Sequence, residues 1–377
     1  MFVERLRELQ RRIGAAVAAG RPDGAGGPAP GEAASDVARE DHGDGGHTGD
    51  TIYRLDVDAE AALLEWAADW SRDLGPGGRP FVLVAEGLPG DGRLPFPAGA
   101  DPADAAFECV VDPVDGTRCL MYDKRSAWAL GAVAPGRAVL GRPPLMSDLA
   151  VAVQTELPTS RARLVDTLWA VAGGGVTGET LDLVTGRTVP LRPSPSRSTT
   201  LAHGFATIAK FFPGTKEATA WIEERLFAEV VGESGGGAPL VFDDEYVSSG
   251  GQLYELLVGH DRFTADLRPA LMRLAEQRAA RAARDGDPDP APARRRLCAR
   301  PYDLCTSLIA AEAGVAVTDE WGRPLRAPLD TVSDVAWVGY ANEHLRRRIE
   351  PVLQRLLREL GVPPGPDDLR RGAGLSP

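Results

Sequence analysis

Apolar residues recur at helical spacing near the start of the chain. Phe2, Leu6, Leu9, Ile13 and Val17 mark one face of a segment whose other positions carry Arg and Glu, and this predicts an amphipathic helix over residues 2–20. Residues 21–50 lose the pattern. They are rich in Gly, Pro, Ala and Asp and read as a long mobile loop that holds His42 and His47, both expected to be solvated. After Tyr53 the period returns, with Leu63, Trp66, Ala67 and Trp70 as the stripe of a second helix. Phe81–Ala85 and Phe107–Val111 are continuous apolar runs of five, the signature of strands buried on both faces. A Pro/Gly/Asp-rich stretch, 87–106, reads as the loop between them.

Further strands are expected at Trp128–Val133, Leu149–Gln154 and Leu168–Ala172. Gly173-Gly174-Gly175 then turns into a hairpin ending near Leu191, and the Pro/Ser/Arg-rich residues 192–200 read as a domain junction. Downstream, a helix is expected around Lys216–Leu226 with Trp221 in the core. An insertion at 270–299 would hold an Ala/Arg-rich helix, Leu271–Ala283, and the basic cluster Arg294-Arg295-Arg296 on a solvated surface. A strand Val335–Tyr340, a helix His344–Leu360 and a loose tail close the chain. Helices and strands alternate throughout, as in α/β proteins.

Composition narrows the function. At 377 residues the chain can bury one or two cores. A net charge of −12 disfavours nucleic acid as the main partner. No apolar stretch reaches membrane-spanning length, and residues 1–20 are charged throughout, unlike a signal peptide, so no membrane partner and a cytoplasmic location are expected. The four cysteines show neither zinc-type spacing nor a disulfide pattern.

The chemistry concentrates in Asp112-Pro113-Val114-Asp115-Gly116-Thr117. Two carboxylates three positions apart leave a buried strand, with Pro113 stiffening the step between them and Gly116 letting the backbone turn sharply. Clustered carboxylates repel unless a cation lies between them, so a hard divalent ion held by oxygens, Mg²⁺, accounts for the pattern. Amides at Gly116 and Thr117 could cradle an anion. An Asp/Gly turn after a core strand is the plainer alternative.

Asp-Pro-x-Asp-Gly-Thr resembles the signature of the inositol monophosphatase family, in the superfamily that includes fructose-1,6-bisphosphatase and bisphosphate nucleotidases. The resemblance spans roughly residues 50–360. Asp56-x-x-x-Glu60 is similar to the family's Asp-x-x-x-Glu, although Asp56 also suits a helix cap. Glu86 ends a strand where the family has a metal-binding Glu, and Gly87 replaces its usual second Glu. Arg300-Pro-Tyr-Asp303 through Glu312-Ala-Gly314 is similar to the second family motif, with Tyr302 in place of Trp; taken alone, Asp303 reads first as the cap of the following helix. Gly250-Gly251 stands where the family has Gly-Ser-Ala, and is also readable as a tight turn.

The resemblance implies a layered α/β/α/β/α sandwich: an α+β metal-binding half over residues 1–190 and an α/β half over 191–377. It implies a Mg²⁺-dependent phosphomonoesterase with two or three ions, Mn²⁺ being an alternative, that acts on a small phosphorylated metabolite. Glu86, Asp112 and the Val114 carbonyl would bind the first ion, and Asp112, Asp115 and Asp303 the second. Glu86 and Thr117 would position water, with Asp56 polarising Thr117; Gly116 and Thr117 amides would hold phosphate. Arg118 could touch the substrate or pair with a site carboxylate. A homodimer is also implied by the family. The competing readings are a bisphosphate nucleotidase or fructose-bisphosphatase-like enzyme and a non-catalytic metal-binding regulator.

Overall fold

The computed structural model describes residues 1–19, 37–40, 51–75, 78–232, 240–285, 297–363 and 365. His42, His47, Arg294–Arg296 and nearly all of the tail lie outside them. The first half of the chain runs α1 (Phe2–Ala19), β1 (Val37–Glu40), β2 (Thr51–Tyr53), α2 (Arg54–Leu74), β3 (Phe81–Ala85), β4 (Arg93–Phe96) and β5 (Phe107–Asp115). It continues through α3 (Thr117–Met121), β6 (Ala127–Pro135), α4 (Arg137–Leu140), β7 (Val151–Leu157), β8 (Leu164–Val171), β9 (Val176–Asp182) and β10 (Thr188–Leu191). Next come β11 (Gly204–Ile208), α5 (Lys216–Val231), β12 (Val241–Phe242), α6 (Ser249–Leu257), β13 (Asp261–Asp266) and α7 (Arg268–Arg284). Last are α8 (Ser307–Glu312), β14 (Ala316–Thr318), β15 (Trp337–Tyr340) and α9 (Glu343–Leu360).

Eight strands form one sheet in the order β10-β9-β8-β7-β6-β5-β3-β4, antiparallel except for the β3–β5 pair. Strand alternation divides its two faces. Leu83, Cys109, Val111, Ala129 and Val153 face a core shared with Leu9 and Ile13 of α1 and Leu63 and Trp66 of α2. Val84, Val110, Trp128, Leu130 and Ala152 face the opposite core. There α6 and α8 lie between this sheet and a five-stranded one, ordered β12-β11-β13-β15-β14. Helices α5 and α9 cover the far side of the smaller sheet. Five layers result, the α/β/α/β/α sandwich expected. The chain leaves the large sheet at Leu191 and enters the small one at Gly204. None of the described helices is long and apolar enough to cross a membrane.

Several elements differ from expectation. Val37–Glu40 is not loop: it pairs with Thr51–Tyr53 as a two-stranded ribbon. The stretch 87–106 contains β4, an edge strand antiparallel to β3; its Pro and Gly content is tolerated because an edge strand leaves one side unpaired. β5 runs past Val111 through Asp115, its register with β6 shifting between Asp112 and Asp115. Helix α7 is not purely a surface element, since Arg268, Ala270, Leu271 and Leu274 of its first two turns are buried. Trp221 is half-buried, with the Arg225 guanidinium 4.2 Å from its ring centre.

An aromatic cluster clamps the two N-terminal helices to the sheet. Trp70 has its ring centre 5.0 Å from Phe81, 4.9 Å from Phe107 and 5.9 Å from Phe2. Replacing Trp70 by Ala should cost about 3–5 kcal/mol through lost burial and the cavity left behind. Equilibrium denaturation measures this directly, and a loss below 1 kcal/mol would mean that these helices are not held through Trp70.

Candidate metal centre

Parallel pairing of β3 with β5 sets the site. Ala85 lies opposite Val111 in register, so the residues that follow each, Glu86 and Asp112, reach the same sheet end together. The bulged end of β5 then carries the backbone on to Asp115. Gly116 takes the left-handed conformation, φ +97°, and a Cβ there would meet Ser248 Cβ at 3.1 Å, so a side chain is excluded on both counts. Helix α3 starts at the next residue.

Asp112 and Asp115 are buried, and Asp303 joins them from the other half of the chain. One carboxylate oxygen from each lies within 4.8 Å of the others. The remaining oxygens are tied to the protein. Asp112 Oδ1 accepts from the Val114 amide at 3.0 Å. Asp115 Oδ2 accepts from Ser248 Oγ at 2.8 Å and from the Gly250 amide at 2.6 Å. Asp303 Oδ2 accepts from the Arg300 amide at 2.6 Å. Asp303 does not cap α8: that helix begins at Ser307 after Thr306, and Asp303 lies in the turn before it. The backbone there is shaped by the Arg300–Asp303 turn rather than by a helix end.

Burial pushes the Asp112 carboxyl well above the ordinary carboxylate range, and the charges of Asp115, Asp303 and Glu86 add to the effect. Asp115 is pushed up to about 8, first by burial and then by Asp303, while the Gly250 amide and Ser248 hydroxyl act in the opposite sense. Carboxylates packed this way are expensive as bare charges and favourable as ligands. Their donor set is all oxygen, which fits a hard divalent cation rather than a soft one.

Thr117 Oγ lies 2.8 Å from both Asp56 Oδ1 and the Val114 carbonyl, so its single proton has two acceptors to choose between. Asp56 Oδ2 accepts from the Tyr53 amide at 2.8 Å. The two readings of Asp56 are therefore both true: one oxygen serves the start of α2 and the other holds Thr117. Arg118 donates from Nε to Tyr53 Oη at 2.9 Å and, among the described residues, forms no ion pair with a carboxylate. A cavity of about 150 Å³ opens onto these groups, so Glu86, Asp112, Val114, Asp115, Thr117 and Asp303 share one surface. Gly116 and Arg118 border it too.

Other side chains at the cavity were not anticipated. Arg268 is buried, its Nε donating to Asp266 Oδ1 at 2.8 Å, and its guanidinium carbon is 4.8 Å from the Phe211 ring centre. Arg300 donates to Asp334 at 2.6 Å. Ser248 carried a legible signal, a Ser ahead of an apolar run, which marks a helix cap. Its pairing with Asp115, 133 positions away, carried none.

No family model and no curated protein matches this chain. Solved structures do match in shape. The chain is similar to the T-state fructose-1,6-bisphosphatase of Leishmania major at 11% identity, over 95% of this chain and 93% of that one, with a TM-score of 0.53. It is similar to the Thermotoga maritima IMPase at 14% identity, covering 94% and 97%, TM-score 0.52. It is also similar to the extragenic suppressor protein suhB of Bartonella henselae at 15% identity, covering 94% and 97%, TM-score 0.52. The likeness extends over almost the whole of each chain and shows that this chain shares the fold of these structures.

Proton linkage at Asp115 is testable. Its folded, metal-free carboxyl binds a proton more tightly than the unfolded one, whose ordinary value is 3.8. Its contribution to stability is therefore full below about pH 4 and is lost as pH rises through about 8. Asp115→Asn accepts the same two donors without charge. In EDTA at pH 8 it should melt higher than the unsubstituted protein by on the order of a few degrees, and at pH 5 the gain should shrink. Calorimetry at the two pH values decides; an equal or lower Tm at pH 8 would count against clustered, uncompensated charge.

Proposed function

We propose that this protein is a Mg²⁺-dependent phosphomonoesterase that hydrolyses a small phosphorylated metabolite with an activated water. The observation that carries the reading is the convergence of Asp112, Asp115 and Asp303, from opposite halves of the chain, on one point of a cavity that also holds Glu86 and the Thr117–Asp56 pair. The phosphatases among the similar structures support the same class of reaction.

Asp112, Asp115 and Asp303 would hold one divalent cation, and Glu86, Asp112 and the Val114 carbonyl a second; Mn²⁺ could replace Mg²⁺. Such ions, when bound, neutralise a phosphate dianion and lower the pKa of water. The protein's own groups do the positioning. Asp56 would orient the Thr117 hydroxyl, which with Glu86 would position the attacking water. The amides of Gly116 and Thr117, on the same cavity, would hold the phosphate oxygens. Arg118, a cation with no carboxylate partner among the described residues, is placed to draw an anionic substrate toward the cavity.

A bisphosphate substrate is the second reading, favoured by three guanidinium groups, those of Arg118, Arg268 and Arg300, on one cavity. Arg268 and Arg300 are already neutralised by Asp266 and Asp334, which leaves Arg118 as the open cation and favours a monophosphate.

Phosphate release from a panel of mono- and bisphosphorylated metabolites, in Mg²⁺ and in EDTA, tests the assignment. Release should require Mg²⁺, and Asp112→Asn should lower it by roughly 10²-fold or more with the circular dichroism spectrum unchanged. Full activity in that variant would rule the mechanism out. No release from any compound, with cation binding intact, would favour a non-catalytic metal-binding protein.

A further inference from the structure

The three clustered carboxylates share a feature that the choice of cation depends on. Asp112 Oδ1 accepts from the Val114 amide, Asp303 Oδ2 from the Arg300 amide and Asp115 Oδ2 from Ser248 and Gly250, while one carboxylate oxygen of each residue lies within 4.8 Å of the others. Asp115 is the most firmly held: Ser248 and the Gly250 amide converge on Oδ2. We infer that Ser248, with the Gly250 amide, is a positioning residue that restricts Asp115 to a single free oxygen and thereby makes the centre favour Mg²⁺ over Ca²⁺. The inference rests on the metal-centre reading above.

The physical basis is the difference between the two ions. Mg²⁺ is small and takes near-octahedral sets of single oxygens with retained water; Ca²⁺ takes six to eight oxygens at longer range and uses carboxylates in bidentate fashion. An Asp115 free to turn would offer Ca²⁺ both oxygens. Turning would break two hydrogen bonds at once.

The donors themselves are fixed. Ser248 is the N-cap of α6, and its Oγ accepts from the Gly251 amide at 2.8 Å while its only proton is donated to Asp115. The Gly250 carbonyl accepts from Gln154 Nε2 at 2.7 Å, which ties this turn to β7. A Cβ on Gly250 would meet Leu130 Cδ2 at 2.6 Å and Asp115 Oδ2 at 2.9 Å. The glycine is thus what allows the α6 backbone to approach the carboxylate closely enough to donate to it. This gives Gly250 a role beyond that of a tight turn.

The test is calorimetric titration of the metal-stripped full chain with Mg²⁺, Mn²⁺ and Ca²⁺ separately. In Ser248→Ala, Mg²⁺ affinity should fall roughly 10-fold or more, as is usual when a group that orients a ligand is removed. Ca²⁺ affinity should change much less, so the preference for Mg²⁺ narrows. Ser248→Thr, which keeps the hydroxyl, should restore the preference. Ser248→Gly keeps most of the capping tendency without the hydroxyl; it should behave as Ser248→Ala does and separates Asp115 positioning from loss of the helix cap. Unchanged Mg²⁺ affinity, or an equal fall for Mg²⁺ and Ca²⁺ in variants that remain folded, would overturn the role of Ser248. Failure of the unsubstituted protein to bind any of the three cations would overturn the metal-centre reading, and this inference with it.

Discussion

Burying several carboxylates within a few ångströms of each other is the costliest local arrangement in this molecule, and much of the surrounding structure is organised to tolerate it. Each charge loses hydration, and each repels its neighbours. The protein offsets part of this with donors. Backbone amides of Val114, Arg300 and Gly250 and the hydroxyl of Ser248 satisfy one oxygen per carboxylate. The carboxylates still converge, one oxygen of each within 4.8 Å of the others, and crowding of that kind favours protons or a cation among them.

The fold supplies the precision that such a cluster requires. A single parallel pair, β3 with β5, inside an otherwise antiparallel sheet brings Glu86 beside Asp112. Packing of α1 and α2 beneath that pair, with Trp70 against Phe81 and Phe107, makes the strand ends a rigid base. From above, α6 crosses between the two sheets and brings its first turn against Asp115. The site is therefore made where the two halves of the chain meet, and each half contributes something that the other cannot hold alone.

The helix terminus at Asp56 and that at Ser248 illustrate one economy. In both, a residue that a helix start needs for its own backbone is also used for the site: Asp56 for Thr117, Ser248 for Asp115. Capping and function compete as explanations only while each side chain is assigned a single partner. A carboxylate has two oxygens, and a hydroxyl both donates and accepts, so one residue can hold a helix end and a side chain at the cavity together.

Local pattern alone determined much of this protein. The run Phe81–Ala85 coincides with β3, the periodic stripes predict α1 and α2, and the six-residue Asp-Pro-Val-Asp-Gly-Thr stretch announces a centre of oxygen chemistry, because each of these signals is carried by residues near one another in the chain. β4 and the ribbon β1–β2 were not legible: edge strands are short and poor in apolar alternation, and they form because a neighbouring strand offers free backbone groups. The burial of α7's first turns was equally hidden, since Ala/Arg-rich sequence reads as surface until the partners of Arg268 are known. Above all, the pairing of Ser248 with Asp115 was decided only in three dimensions, whereas the meeting of Asp303 with the two β5 carboxylates was expected through the family resemblance alone. Hydrogen bonds between residues more than a hundred positions apart leave no periodicity in a single sequence; they exist because two sheets and an intervening helix pack in one particular way.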